Sequence, residues 1–307
     1  MAPFVKFKEI MMKKLILTIF LLSIMTLTAY AAPLQDTKNY KFEREIITLK
    51  ALGIVDGDEN GYFHPTSELK RSEAAKLIVT AFSYEGMEYD QSETEFSDVP
   101  AEHWASGYIQ AAADMNIING YGDGNFGPDD NITIEQACAM LVKSLGYGRF
   151  AENDGGYPSA YNVYAYDLSL TEKLTGEYTD PIAKGELAYM IAMAMEAPMT
   201  ELTPMGYINI MQGRGMDYMC PMIHYHKAYS VNGHISATSR SNGLPRDYVD
   251  LTATYARRLG SEFINTPVVL RCKTTDADAI NDVLLIDGEF IIQETGDGEY
   301  TILLIVI

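Results

Sequence analysis

The chain has 307 residues, of which 47% are hydrophobic and 21% charged, and it carries a formal net charge of −19 at pH 7. This length allows two or more domains with a sizeable core. The strong acidity excludes a general electrostatic attraction to DNA or RNA, so any anionic partner would have to meet locally placed cations.

The N-terminus has the pattern of a secretory signal peptide. Four lysines precede an apolar run from Leu15 to Leu27, and Ala29-Tyr30-Ala31 follows as a small-x-small cleavage site. The alternative is a membrane anchor, but the run is shorter than the roughly 20 apolar residues that a bilayer requires. We therefore predict a signal peptide over residues 1–31, a secreted mature protein and no transmembrane segment after cleavage.

One stretch of the chain is written twice. Residues 53–79 align with residues 116–142 at a shift of 63 without a gap, and the alignment pairs Phe63 with Phe126. In each copy an apolar helix end runs into a Gly/Asp/Asn cluster typical of tight turns, and a second amphipathic helix follows. Its predicted start is Ser67 or Glu68 in the first copy and Asp130, Asn131 or Thr133 in the second. The repeated unit is helix, turn, helix, and such units bury their apolar faces against each other.

A longer match surrounds the second copy. Residues 96–147 resemble one S-layer homology repeat of bacterial surface proteins. The motifs that carry this resemblance are Phe96-Ser97-Asp98-Val99, His103-Trp104-Ala105, the turn from Gly120 to Pro128, and the helix start from Ile132 to Ala137.

Two further segments resemble the same family. Residues 40–83 keep the helix-start signature as Leu69-Lys70-Arg71-Ser72-Glu73 but lack the opening Phe-x-Asp-Val and the Trp. Residues 155–196 have Ile182 to Ala188 in the signature position and lack the glycine-rich turn. The resemblance implies an all-α, pseudo-threefold module of three helix-loop-helix repeats.

The family likeness also implies a ligand. Grooves between the repeats would bind a secondary cell-wall polysaccharide that is acidic and often pyruvylated. Arg71 is the best cation for it, Lys184 is its equivalent in the third repeat, and Ile134 leaves the second repeat without one. The predicted polysaccharide-binding residues are Arg71, Glu73, Asp98, Trp104, Gly120, Asp123 and Lys184.

Each of these residues also has a plainer interpretation. Arg71 and Lys184 could be solvated or paired with Glu73 and Glu186, because exposed ion pairs are common on protein surfaces. Trp104 could belong to the core. The segment from Gly120 to Gly124 could serve only as a turn.

After residue 196 the sequence texture changes. Residues 197–204 read as a linker, and residues 205–307 read as a small β-rich domain. Strands are predicted from alternation at residues 226–238, 249–255, 268–273 and 300–307, and a hairpin is predicted over residues 284–292 on the Asp287-Gly288 turn. The fold class is therefore α+β.

Metal sites and disulfides have weaker signals. Cys220, His224 and His226 form C-x3-H-x-H, which on a strand would place both imidazoles on one face. The six residues from Asp56 to Gly61 resemble the opening of a calcium loop, although the closing Glu is one place late at Glu68. Cys138 is predicted to lie in the core, and Cys220 and Cys272 could pair in an oxidising compartment.

The sequence thus predicts a non-enzymatic protein, secreted and attached to the cell wall or S-layer, with no cofactor. The alternatives are a wall-anchored hydrolase with a catalytic C-terminal domain and a metal-binding surface protein. No nucleic acid is expected as a partner.

Overall fold

The structure is a computed structural model that describes residues 34–83, 87–203, 206–209, 220–238, 244–245, 247–256, 268–274, 285–296 and 299–306. The predicted signal peptide lies outside these residues. All described residues belong to one unit, Pro33–Ile307. Within the described chain, no helix has the length and apolar character needed to cross a membrane.

The described residues between 34 and 199 form seven helices, six of which are the first and second helices that three repeats predict. They are α1 (Glu43–Ala51), α2 (Arg71–Ala81), α3 (Ser106–Asp114), α4 (Ile134–Ser144), α5 (Gly148–Asn153), α6 (Ser159–Asp167) and α7 (Lys184–Glu196). Each of the three units contributes a first helix (α1, α3 or α6) and a second helix (α2, α4 or α7), and α5 precedes the first helix of the third unit.

The second helices begin with a shared hydrogen bond. The residue before each helix is extended, and its backbone N–H donates to the Glu or Gln three positions later: Lys70 to Glu73, Thr133 to Gln136, and Ala183 to Glu186. These bonds satisfy donors that a helix start leaves without partners. Thr133 was among the predicted start residues.

The predicted start of the first copy, Ser67 or Glu68, is wrong. Both residues lie in the extended segment before α2, where Glu68 forms a β-bridge with Ala183 and Lys70 forms one with Asn131. A polar side chain alone does not start a helix when the backbone around it is used to pair with another segment.

Backbone hydrogen bonds join the units in cyclic order. The N–H of Arg71 in the first unit donates to Asp130 O in the second at 2.9 Å, and that of Ile134 in the second donates to Asp180 O in the third at 3.1 Å. The N–H of Lys184 in the third donates to Ser67 O in the first at 2.9 Å. We call these three contacts the Arg71, Ile134 and Lys184 seams.

The turn aromatics of the repeat are the centre of the helical core. Phe63 and Phe126 are fully buried, and the apolar residue before each second helix, Leu69, Ile132 or Ile182, is also buried. Complete burial of one such side chain stabilises the fold by about 1.5–3 kcal/mol. The prediction that the repeated positions form the core is confirmed by their burial.

The C-terminal part contains a short hairpin and a closed barrel. Strands β1 (Thr200–Thr203) and β2 (Gly206–Asn209) pair with each other, and α8 (Pro221–His226) leads into the barrel. The barrel strands are β3 (Ala228–Thr238), β4 (Tyr248–Ala256), β5 (Val268–Lys273), β6 (Asp287–Gly296) and β7 (Glu299–Val306). Around the barrel they run in the order β3-β4-β5-β7-β6, and only β5 and β7 are parallel.

The predicted strand positions are confirmed, but the predicted hairpin is wrong. Asp287 and Gly288 lie inside β6, paired with His234 and Gly233 of β3, rather than in a turn. The hairpin instead joins β6 to β7, where Gly296 pairs with Glu299. Local turn propensity gave way to a long strand that closes the barrel.

The segment predicted as a linker is packed. Ala197 and Met199 are buried, and the backbone N–H of Thr200 donates to Leu145 O at 3.0 Å. An exposed linker would leave such groups to water. The segment is therefore not an exposed linker: it packs against the helical part and is hydrogen-bonded to the end of α4.

The barrel contacts the helical part directly. Arg44 of α1 forms an ion pair with Glu289 of β6, and the Nε2 atom of His226 lies 2.9 Å from Ala81 O. Phe82 and Tyr225 meet edge to face at 6.2 Å. The described core residues of both parts form one continuous cluster.

A matched pair of glycine substitutions tests the packing of β1. Gly146 and Gly122 have nearly equal left-handed φ angles of 89° and 84°, but a Cβ atom on Gly146 would lie 2.0 Å from Thr200 O, whereas one on Gly122 would meet nothing within 4 Å. We expect Gly122→Ala to cost about 1–2 kcal/mol of unfolding free energy, from the left-handed backbone alone. Gly146→Ala should cost clearly more in urea denaturation. Equal losses would contradict the packed position of Thr200.

Candidate functional site

The Arg71 seam holds a buried cation between two aromatic rings. Arg71 is the first residue of α2 and is 7% exposed. Its Nε atom donates to Phe126 O at 2.9 Å, and its guanidinium carbon lies 4.7 Å from the ring centre of Tyr121 and 4.6 Å from that of Phe126. Within the described part of the chain, its terminal nitrogens have no hydrogen-bond partner.

The electrostatics of this seam favour an added anion. Burial lowers the pKa of Arg71, while Tyr121 and Asp130 oppose that shift. A guanidinium nevertheless stays protonated in proteins. A partly desolvated cation whose donors are only partly used is a site where a carboxylate forms strong, charge-assisted hydrogen bonds.

Tyr121 lies over the cation, and Tyr157 is near enough to interact with its charge. Tyr121 is 48% exposed and its hydroxyl donates to Asp130 at 2.9 Å, and Tyr157 is 50% exposed and its hydroxyl donates to Glu135 at 3.0 Å. Burial, followed by the bond to Glu135, raises the pKa of Tyr157 to about 12. Both phenols therefore stay neutral at physiological pH, and their exposed rings can pack against a sugar.

Asp98 holds the turn of the second unit. Its two carboxylate oxygens accept hydrogen bonds from the backbone N–H groups of Phe126 and Gly127, at 2.8 and 2.7 Å. Asp36 does the same for Phe63 and His64, at 2.8 and 2.7 Å. Asp36 thus supplies in the first unit the function of the opening motif that the sequence lacks.

The Lys184 seam repeats the arrangement with a different cation. The ammonium of Lys184, the first residue of α7, lies 4.6 Å from the ring centre of Phe63. Burial lowers its pKa, and the charges of Glu73 and Asp36 oppose this shift. Carboxylates therefore act on this cation as well, as Asp130 and Asp98 act on Arg71.

The Ile134 seam has no cation at the corresponding position. Ile134 begins α4 and is 3% exposed, and a Cβ atom on Gly176 would lie 3.2 Å from its Cδ1 atom. Its apolar side chain fills the space that Arg71 and Lys184 occupy in the other seams.

Glu73 and Glu186, which could have paired with the two cations, have other partners. Glu73 accepts the N–H of Lys70 at 2.9 Å, and Glu186 accepts Lys41 Nζ at 2.9 Å. Among the described residues, neither Arg71 nor Lys184 forms an ion pair with them.

The other predicted residues lie further along the turn or the chain. A Cβ atom on Gly120, which has φ 57°, would come within 2.6 Å of Asn125 O, so this position needs glycine for the turn. Asp123 accepts the N–H of Asn125 at 2.9 Å. Trp104 precedes α3 instead of lying on its apolar face, and it is 50% exposed beside His103.

Sequence reasoning missed three residues of the Arg71 seam: Tyr121, Asp130 and Tyr157. Tyr157 stands two residues before α6, as Trp104 stands two residues before α3. This equivalence of position was the available signal. No signal in the sequence predicts the contact of Tyr121 with Arg71, because this contact joins two different units.

The predicted metal candidates do not come together. Residues 221–226 form α8 rather than a strand, so His224 and His226 point about 200° apart around the helix axis. His226 is buried against Ala81 O, and Cys138, Cys220 and Cys272 are all buried. Across the described ranges, no three His, Cys, Asp or Glu residues are placed to hold a metal ion.

The calcium-like loop is a hydrogen-bonded turn. Asp58 Oδ1 accepts from the backbone N–H groups of Asn60 and Tyr62, at 2.8 and 3.0 Å, and Asp58 Oδ2 lies 3.0 Å from His64 Nε2. The hydrogen bond with His64 is the main cause that lowers the pKa of Asp58. Both carboxylate oxygens are thus engaged within the turn.

Known proteins resemble this chain over part of its length. The S-layer homology domain model matches residues 34–75 and 95–138. Over 176 residues the chain is 30% identical to a "Cell surface protein" of Thermoanaerobacter kivui. This alignment covers 56% of this chain and 22% of that protein. Over 106 residues it is 36% identical to a "Surface layer protein" of Brevibacillus choshinensis. This alignment covers 34% of this chain and 10% of that protein.

An enzyme is also among the relatives. Over 168 residues the chain is 28% identical to an "Endoglucanase" of Bacillus sp. (strain KSM-635), covering 49% of this chain and 17% of that protein. The chain thus spans less than a quarter of the length of each of these three relatives.

The matches and the fold together define a class: a surface protein with repeated helical units. More particularly, residues 34–75 and 95–138 are S-layer homology segments, and the protein is attached to the cell wall at the bacterial surface. The match that begins at residue 34 includes Asp36, in agreement with its hydrogen bonds to the first turn.

The role of Asp98 in the turn leads to a stability prediction. Asp98→Ala removes the acceptor of two part-buried N–H groups and should cost about 2–3 kcal/mol of unfolding free energy. Asp123→Ala, which removes two exposed bonds from Asn125, should cost no more than about 1 kcal/mol and serves as the matched control. Chemical denaturation measures both, and equal losses would show that Asp98 does not hold the turn.

Proposed function

We propose that the three units form one pseudo-threefold module that binds an acidic secondary cell-wall polysaccharide at the Arg71 seam. The cyclic hydrogen bonds from Arg71, Ile134 and Lys184 support the module, because each joins the second helix of one unit to the turn of the next. The third unit, residues 155–196, is part of this proposal. The module anchors the protein to the envelope without a covalent bond.

The single observation that carries the proposal is the state of Arg71. Its guanidinium is packed between aromatic rings at a seam, and the described residues leave its terminal nitrogens without partners. A carboxylate on a sugar, such as that of a pyruvate ketal, would use those donors and recover part of the electrostatic cost of burying the cation. The exposed faces of Tyr121 and Tyr157 would pack against the sugar ring.

The Lys184 seam would bind the same polymer more weakly. Its ammonium lies against one ring, that of Phe63, whereas the Arg71 guanidinium lies between two rings. An ammonium also lacks the planar fork that matches a carboxylate. The two cationic seams are therefore expected to differ in affinity, with Arg71 dominant.

The match with an endoglucanase favours a second candidate, in which the repeats deliver a wall-acting enzyme. In that candidate a catalytic site would lie in residues 205–307. We favour a non-enzymatic role, because the matched relatives also include surface-layer proteins and the repeats are what the matched family model describes.

A charge-removing substitution tests the proposal. Arg71→Met keeps an unbranched apolar stem between the rings but removes the guanidinium. We expect the full chain with Arg71→Met to bind purified walls at least about tenfold more weakly, because it loses a desolvated, charge-assisted contact. Wall extraction that removes the secondary polymer should abolish wild-type binding in a sedimentation assay.

Lys70→Met is the matched control. Lys70 is the exposed neighbour of Arg71, and among the described residues its ammonium donates only to Asn131 Oδ1. The Lys70→Met variant should bind walls nearly as well as the wild type. Equal binding by Arg71→Met, or undiminished binding to extracted walls, would refute the proposal.

Substitutions of Tyr121 separate its ring from its hydroxyl. Tyr121→Ala removes the ring above Arg71 and should weaken wall binding by about three- to thirtyfold, since a partly buried cation–π contact contributes about 0.5–2 kcal/mol. Tyr121→Phe loses only the bond to Asp130 and should bind close to the wild-type level. If Tyr121→Phe were as weak as Tyr121→Ala, the hydroxyl rather than the ring would contact the glycan.

A further inference from the structure

The barrel has a strand topology that is associated with the binding of oligonucleotides and oligosaccharides. Numbered from its first strand, it runs 1-2-3-5-4 and closes between strands 1 and 4, with one parallel pair between strands 3 and 5. This is the arrangement of the OB-fold, in which the outer face of strands 2 and 3 binds oligonucleotides or oligosaccharides. Topology alone assigns no function, so the side chains on that face must decide.

Strands 2 and 3 of the barrel are β4 and β5. Their inward residues Val249, Leu251 and Cys272 are buried. Their outward residues form three cross-strand pairs that we call the β4–β5 face: Tyr248 with Lys273, Asp250 with Arg271, and Thr252 with Val269.

The chemistry of the β4–β5 face suits a carbohydrate. Arg271 donates from Nε and one terminal nitrogen to the two oxygens of Asp250, at 3.0 and 3.3 Å, which fixes a planar donor-acceptor pair. The Arg271 side chain is still 59% exposed, and Val269 is 60% exposed. Half-buried Tyr248 adds an aromatic ring beside this pair.

The charge of the face indicates which carbohydrate. Asp250 offsets the charge of Arg271, while the ammonium of exposed Lys273 has no ion-pair partner among the described residues. The face therefore carries a net positive charge within a chain of net charge −19. Long-range repulsion excludes a polyanion such as nucleic acid, but a single local cation can hold a sparsely charged glycan.

The position of the face leaves it open to a ligand. The barrel meets the helices through α8, through Glu289 of β6 and through β7, which packs against α1. In the closed strand order β6 lies across the barrel from the β4–β5 pair. A ligand on β4 and β5 would not compete with these contacts.

We propose that the β4–β5 face is a second saccharide site, which takes an acidic oligosaccharide segment of the cell-wall glycan. Tyr248 stacks on a sugar ring, the Asp250–Arg271 pair bonds to hydroxyls, and Lys273 meets a carboxylate. The site deepens the proposed anchoring function by making attachment bivalent, so that both sites together hold a polymer more tightly than either alone.

The test uses the full chain with Arg71→Met and oligosaccharides released from purified walls, followed by calorimetric titration. We expect binding to remain in this variant and to fall at least about tenfold on adding Tyr248→Ala and Lys273→Ala. Tyr248→Phe should retain binding because it keeps the ring. Lys227→Asn is the control for lost charge: Lys227 lies outside the face with φ 48°, which asparagine tolerates.

The outcomes separate this inference from the Arg71 proposal. If Arg71→Met abolished all binding, or if the residual binding were lost in Lys184→Ala but not in the barrel variants, the barrel site would be refuted. If Arg71→Met had no effect while the barrel variants removed binding, the Arg71 proposal would fail and this one would stand. Preferential binding of a single-stranded DNA homopolymer over the oligosaccharides would also refute it. Circular dichroism of every variant verifies folding.

Discussion

The helical part depends on how the second helices satisfy their first N–H groups. A helix start leaves four donors without intrahelical partners. Here the donors of Arg71, Ile134 and Lys184 reach carbonyl groups in the turn of another unit, and each such bond contributes about 1 kcal/mol net. Because each unit supplies donors to one neighbour and acceptors to the other, no unit completes its hydrogen bonding alone.

The same constraint creates the proposed binding site. A residue at the first position of a second helix must place its side chain in the seam, beside the turn aromatic of the neighbouring unit. Phe126 therefore meets Arg71 and Phe63 meets Lys184. The three seams share one backbone geometry and differ in one side chain, so their chemistry ranges from guanidinium through ammonium to an apolar plug. Anchoring specificity can change without a change in fold.

The contacts between helices and barrel bear on how force would pass through the protein. Arg44 with Glu289, and Phe82 with Tyr225, join the anchoring part to the barrel without an exposed tether. Buried Ala197 and Met199 continue that packing through the segment between them. A wall-attached protein with this arrangement presents its barrel at a set position relative to the three seams.

Sequence determined the local units. The gapless repeat predicted the helices, their buried aromatics and the cation at the start of α2, since periodicity and turn composition are local properties. It failed at Asp287-Gly288 and at Cys220 to His226, where local propensity was overruled by strand pairing and by a helix. The sequence did not predict the contacts of Tyr121, Tyr157 and the β4–β5 pairs, because the partners of these residues are far along the chain. Only the tertiary structure decided which side chain faces Arg71, that Asp36 replaces a missing motif, and that five strands close into a barrel, because each depends on contacts between segments that no local pattern encodes.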